Sequence, residues 1–214
     1  EYNLHGINQV LVRNEIGMSF AKALKAFLRQ DPNIIMLGEI RDIETGGIAV
    51  KAALTGHLVL STLHTNDCPS TITRLIDMGL EPFNVASALN LLTAQRLVRR
   101  VCENCKEPAT YEEEWLHFAK IPKDWLEEHR GNLVRGAGCD TCGGTGYKGR
   151  QGLYEVMAMS PALRKAIMAE ASTDELRELA RSEGMLTLRE DGLKKAERGI
   201  TSLDQIVKET TVAE

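Results

Sequence analysis

The sequence predicts an α/β fold: a parallel sheet with flanking helices, then a small metal-binding segment, then a helical end. Three observations predict it. Strand and helix signals alternate through the first hundred residues, which implies parallel strands joined by helical crossovers. Two C-x-x-C pairs, Cys102 with Cys105 and Cys139 with Cys142, bracket the middle of the chain. Helix starts and stops recur from Ser160 to Thr210. The chain is read as three segments: 1–100, 101–155 and 156–214.

In the first segment, Ser19 to Gln30 puts Phe20, Leu24, Phe27 and Leu28 on one helical face, and Pro32 ends that helix. Ile34-Ile35-Met36-Leu37 is a short unbroken apolar run, which predicts a central, fully buried strand. A helix capped by Asp42 runs to about Leu54. His57 to Leu63 forms a second strand. Asp67 and Pro69 open a helix reaching Met78, and Pro82 to about Arg99 reads as another.

The second segment holds two short helices between residues 111 and 130. A glycine-dense run follows, from Gly136 to Gly149, suited to tight turns around a metal. In the third segment, Ser160-Pro161 starts a helix. Ser172 to Glu175 is a capping box with Gly184 as a stop. Helices over Thr187–Gly199 and Ser202–Thr210 complete the chain.

Composition removes several classes. The 214 residues carry 26 basic and 30 acidic side chains, and a net charge of −4 argues against a bulk nucleic-acid binder. No apolar run approaches the roughly 20 residues that cross a bilayer, so no membrane insertion is expected. The start, Glu1-Tyr2-Asn3, has neither a signal peptide nor a Met, and the chain reads as a processed or excised fragment.

Five cysteines without an export signal read as a metal site in a reducing cytosol rather than as disulfides. Two C-x-x-C turns supply four thiolates, the donor set of structural zinc, and leave no open coordination position. Lys106 and Lys148 lie near enough to offset thiolate charge. Cys68 stands alone and is read as a helix-start residue.

Glu39 follows the first strand through Gly38, and His64 ends the second strand. Parallel strands would bring both to the carboxyl edge of the sheet, where ligands bind in such folds. His57, at the start of the second strand, belongs at the opposite end. A carboxylate at that edge can orient a nucleophilic water or hold a magnesium-bound one. The chain has no G-x-x-x-x-G-K-[ST] run and no Gly-Lys pair, so it carries no phosphate-cradling loop of its own.

Leu28 to Asp42, Thr55 to Asn66, the two cysteine pairs, Gly149 to Met157 and Glu183 to Arg189 together resemble the ATPases of type II secretion and type IV pilus assembly. The likeness is greater to the pilus-extension branch than to the secretion branch. It implies part of a RecA-like P-loop core with a Walker B element at residues 34–39 and a histidine box at 55–66. It implies a hexameric, magnesium-dependent cytoplasmic ATPase, peripheral at the inner membrane, that polymerises pilin with a platform protein and other assembly proteins. Glu39 would activate the attacking water and His64 would contact the γ-phosphate of ATP. Arg41 would hold the Walker B region, and Gly38 would lie against the nucleotide. Cys102, Cys105, Cys139 and Cys142 would bind structural zinc. The missing Walker A loop implies that this chain alone is inactive. The competing class is a non-enzymatic zinc adaptor, because Cys139 to Gly146 also fits the C-x-x-C-x-G-x-G repeat of a chaperone zinc domain. That class explains neither Glu39 nor the histidine box.

Overall fold

The structure is a computed structural model and describes residues 3–210. These residues form two compact units. One comprises the chain up to Leu92 together with Ala158–Leu179; the other comprises Thr93–Met157 and the chain from Ala180 onward. The units therefore do not follow the three consecutive segments read from the sequence. Their composition has a packing cause: Leu193, Ala196, Leu203 and Ile206, from near the C-terminus, share one core with Leu116, Ile121, Leu126 and Leu133.

In the first unit, helix α1 (Phe20–Phe27) starts at Ser19, whose hydroxyl accepts from the Lys22 amide. Strand β1 (Ile34–Leu37), helix α2 (Ile43–Leu54) and strand β2 (Leu58–Ser61) make one right-sized crossover unit. Asp42 caps α2 by accepting from the Thr45 amide at 2.8 Å. Helices α3 (Cys68–Asp77) and α4 (Pro82–Ala88) follow, each with a proline in its first turn. The strands are parallel, with Ile34 opposite Leu58 and Leu37 opposite Ser61. Leu24, Ile35, Leu37, Ala49 and Ala52 form the core under the sheet.

The expected central, fully buried strand is corrected. β1 has β2 as its one partner, and the two form a two-stranded sheet among the described residues. The helices α1 and α2 cover one face. On the other, Ile34, Met36, Leu58 and Leu60 are 48–62% exposed.

The helix expected over 82–99 is also corrected. α4 ends at Ala88, and Leu91–Val101 is strand β3, paired with strand β6 (Tyr147–Ala158). The Leu, Ala, Gln and Arg residues of this stretch favour helix, but strand pairing overrides so weak a preference. β6 itself was hidden by its buried acid: Leu153, Glu155 and Met157 face inward at period two.

Between these strands lie β4 (Lys106–Pro108), α5 (Glu113–Phe118), α6 (Lys123–His129) and β5 (Val134–Gly136). β4 and β5 pair antiparallel, with Lys106 opposite Gly136. Helix α7 (Pro161–Met168) belongs to the first unit. Its cap is Ser160, which accepts from the Leu163 amide at 3.1 Å. Helix α8 (Thr173–Ser182) opens with Ser172 and Glu175 capping each other. Thr187 and Glu190 do the same for α9 (Leu188–Glu197). Helix α10 (Leu203–Glu209) ends the described chain.

Candidate functional site

Because β1 and β2 run parallel and in register, the chain leaves both at the same end. Glu39 lies two residues past β1 and His64 three past β2. The two exits are tied together twice: the Ile40 amide donates to Thr62 O at 3.1 Å, and Thr62 Oγ1 donates to Gly38 O at 2.7 Å. Thr62 escaped the sequence reading, because nothing local to it marks a partner 24 residues earlier. Gly38 thus serves the edge through its carbonyl.

The Glu39 carboxylate divides its oxygens between two partners. Oε1 meets Arg41 Nη2 at 2.6 Å, and Oε2 meets His64 Nε2 at 3.2 Å. The Glu39 side chain is 18% exposed, whereas Arg41 and His64 are 70% and 86% exposed. The Arg41 hydrogen bond, outweighing slight burial and aided by His64, holds the Glu39 carboxyl below the usual range. The group is therefore an anion at neutral pH, flanked by a guanidinium and an imidazole that open to solvent. His57 sits at the other end of β2, its Nδ1 2.9 Å from Ala52 O, and takes no part.

The cysteine pairs converge because the β4–β5 ladder begins directly after Cys105 and ends shortly before Cys139. The four Sγ atoms lie within 4.8 Å of one another. Cys102–Cys139, Cys105–Cys142 and Cys139–Cys142 are separated by 3.9, 3.8 and 3.8 Å. A tetrahedral ion holding thiolates at about 2.3 Å sets its sulfurs about 3.8 Å apart, so the donor set fits a metal. Backbone amides of Gly138, Cys139 and Gly146 point at the sulfurs at 3.2–3.3 Å. Asn104, which the sequence did not single out, donates its side-chain amide to Cys139 Sγ at 3.3 Å. That bond draws the Cys139 thiol down to about 6, while burial pushes Cys105 up to about 12. A dication bound among the four would deprotonate them all. Lys106 pairs with Glu103 at 3.4 Å. Cys68 is buried in the first turn of α3, outside the cluster.

Two glycines make this convergence possible. A Cβ on Gly136 would overlap the Gly146 carbonyl, and a Cβ on Gly146, whose φ is +76°, would overlap the Gly136 carbonyl. Backbone meets backbone, so no side-chain rotation relieves the clash. Gly136→Ala should separate the two cysteine loops and lower the metal bound per chain, measured by elemental analysis after gel filtration. Full metal content in that variant would show that the close approach is dispensable.

A model of the family described as type II/IV secretion system protein matches residues 1–208. The chain belongs to that family. Among relatives of this secretion family, the type IV pilus assembly ATPase PilB of Thermus thermophilus is 52% identical over 210 residues, covering 98% of this chain and 23% of the relative. The type II secretion system ATPase E of Vibrio cholerae is 44% identical, covering 98% and 41%. The pilus retraction motor PilT, solved with bound ADP, superposes with a TM-score of 0.63 at 26% identity, covering 91% of this chain and 44% of that one. The chain thus spans less than half the length of each of these proteins. No helix among the described residues is long and apolar enough to cross a membrane.

Proposed function

We propose that this chain forms part of a magnesium-dependent ATPase that drives type IV pilus assembly, with the Glu39–His64 edge as the hydrolytic side of its nucleotide site. The observation that carries this is the convergence of Glu39, Arg41 and His64 at the carboxyl end of two parallel strands. Chemistry follows from the pieces. Bound magnesium-ATP would supply the phosphoryl group and part of the charge neutralisation. Glu39 accepts a hydrogen bond from a water and orients its lone pair. Arg41 fixes one Glu39 oxygen, leaving the carboxylate in a single plane. His64, with Nε2 on Glu39 and its ring otherwise open to solvent, would contact the terminal phosphate, and Gly38, without a side chain, lets the nucleotide approach.

On this reading residues 1–100 belong to a RecA-like P-loop core, 101–155 carry structural zinc on the four cysteines, and 156–214 form a helical segment. The working protein is a cytoplasmic homohexamer at the inner membrane, docked on a platform protein. Pilus assembly is favoured over type II secretion by the identity to PilB relatives, 49–52%, against 44–47% for type II secretion relatives. A zinc adaptor has no use for the Glu39–His64 pairing.

The phosphate cradle is missing from this sequence, so the chain by itself binds magnesium-ATP weakly and does not turn it over. A longer protein that contains this chain and a cradle hydrolyses ATP. Calorimetry on this chain and a phosphate-release assay on the longer protein test both halves. Micromolar affinity here would relocate the phosphate contacts, and an inert longer protein would overturn the ATPase reading.

A further inference from the structure

The loop that carries His64 is anchored at both ends. At its start, Thr62 is tied to Gly38 and Ile40. At its end, Asp67 Oδ1 accepts from the Ser70 amide at 2.8 Å and caps α3. Inside the loop, Thr65 Oγ1 lies 2.7 Å from Thr71 Oγ1. Capping α3 requires one carboxylate oxygen. The second, Asp67 Oδ2, accepts instead from Arg177 Nη2 at 3.2 Å, a residue 110 positions later in the chain.

Arg177 is held for that purpose from other directions. Its Nη1 pairs with Asp174 one turn earlier on α8, and its side chain is 15% exposed. Four residues before it, Thr173 Oγ1 meets Thr73 Oγ1 of α3 at 2.8 Å. Thr173 and Arg177 lie on the same face of α8, so that face runs along α3 beside the loop. A guanidinium bound by two carboxylates on separate nitrogens has its plane fixed. Low exposure sets the Arg177 pair apart from the solvent-exposed ion pairs elsewhere on the surface, which add little.

We propose that Arg177 is a positioning residue for hydrolysis: by gripping Asp67, it fixes where the 62–67 loop presents His64 beside Glu39. The proposal rests on the reading of His64 as a phosphate contact. A small misplacement of a catalytic group slows the chemical step far more than it weakens substrate binding. The alternative is that Arg177 merely staples α8 to α3, which would affect stability and leave kcat alone.

The test uses the longer ATPase with magnesium-ATP and compares Arg177→Ala, Asp67→Ser and His64→Ala with the pairs Arg177→Ala/His64→Ala and Asp67→Ser/His64→Ala. Serine caps a helix well but has no second oxygen for Arg177, so Asp67→Ser breaks the pair while α3 keeps its start. Arg177→Ala and Asp67→Ser should each lower kcat by on the order of tenfold and leave KM within about twofold. In the His64→Ala background neither should lower kcat further. Amide exchange in Asp67→Ser should quicken at residues 62–67 and stay unchanged over α3. Equal losses with and without His64 would overturn the proposal, as would wild-type kcat in Asp67→Ser. A His64→Ala enzyme with near-normal turnover would instead remove the underlying reading of His64, and that variant alone reports it.

Discussion

On the proposed function, replacing Glu39 by Gln in a longer protein that contains this chain and a phosphate cradle should leave magnesium-ATP binding nearly intact and slow hydrolysis by at least about 10²-fold. The substitution keeps the shape of the side chain and its place after β1. It removes the negative charge and most of the basicity, and so removes the acceptor that would orient a water in line with the terminal phosphate. The structure sharpens the rival explanation. Glu39 also bonds Arg41 and His64, and the rival role is that of a local structural partner and nothing more. Both of those partners are largely exposed, however, and exposed ion pairs contribute little to stability. The variant should therefore melt close to the parent temperature. Turnover and melting measured on one preparation separate the two roles. A variant that binds ATP, melts normally and still hydrolyses at near the parent rate would take Glu39 out of the mechanism.

Removing the metal is expected to have the second large effect. Structural zinc contributes on the order of 10 kcal/mol in small metal domains. Between Cys102 and Cys105, and again from Gly136 to Gly149, the chain has turns and short ladders but few apolar side chains to hold it. Chelation should expose these two stretches to protease first. The cluster of Leu116, Leu126, Leu193 and Leu203 provides an independent core and should keep α5, α6, α9 and α10 protected for longer. The unit containing β1 and β2 should be unaffected. The readouts are elemental analysis and limited proteolysis with and without chelator. Well under one zinc per chain as purified, or an unchanged cutting pattern after chelation, would reject a structural metal.

The parts legible in the sequence are those whose signal is local. The Ser19, Asp42, Asp67 and Ser160 caps each act within one turn, and each helix starts where its cap stands. The cysteine spacing announced the cluster, and the parallel strand pair announced that Glu39 and His64 share an edge. What escaped depends on distant partners. β3 looks helical in isolation and becomes a strand through pairing with β6. β6 is disguised by glycine at its start and by Glu155 at an inward position. The exposure of Ile34 and Met36 could not be read from an apolar run, because a run reports what could be covered and not what covers it. Asn104, Thr62 and Arg177 act through hydrogen bonds to residues distant in sequence, and no spacing rule marks them.

The division of the chain into two interleaved units has a consequence for its synthesis. A ribosome releases residues in order, at about 5–20 per second. Strands β1 and β2 emerge before the later part of their unit and carry Glu39 and His64 with them. Yet their unit also requires Ala158–Leu179, and all of Thr93–Met157 must be translated in between. Until then α4 lacks α7: Met159 N has not reached Asn90 O, and Arg164 has not reached Ala86 O. Asp67 likewise waits for Arg177. A nascent chain halted at Met157 would hold both residues of the proposed hydrolytic edge in a unit that still lacks α7 and the Arg177 partner of Asp67, so translation completes that unit only after the cysteine loops have left the ribosome.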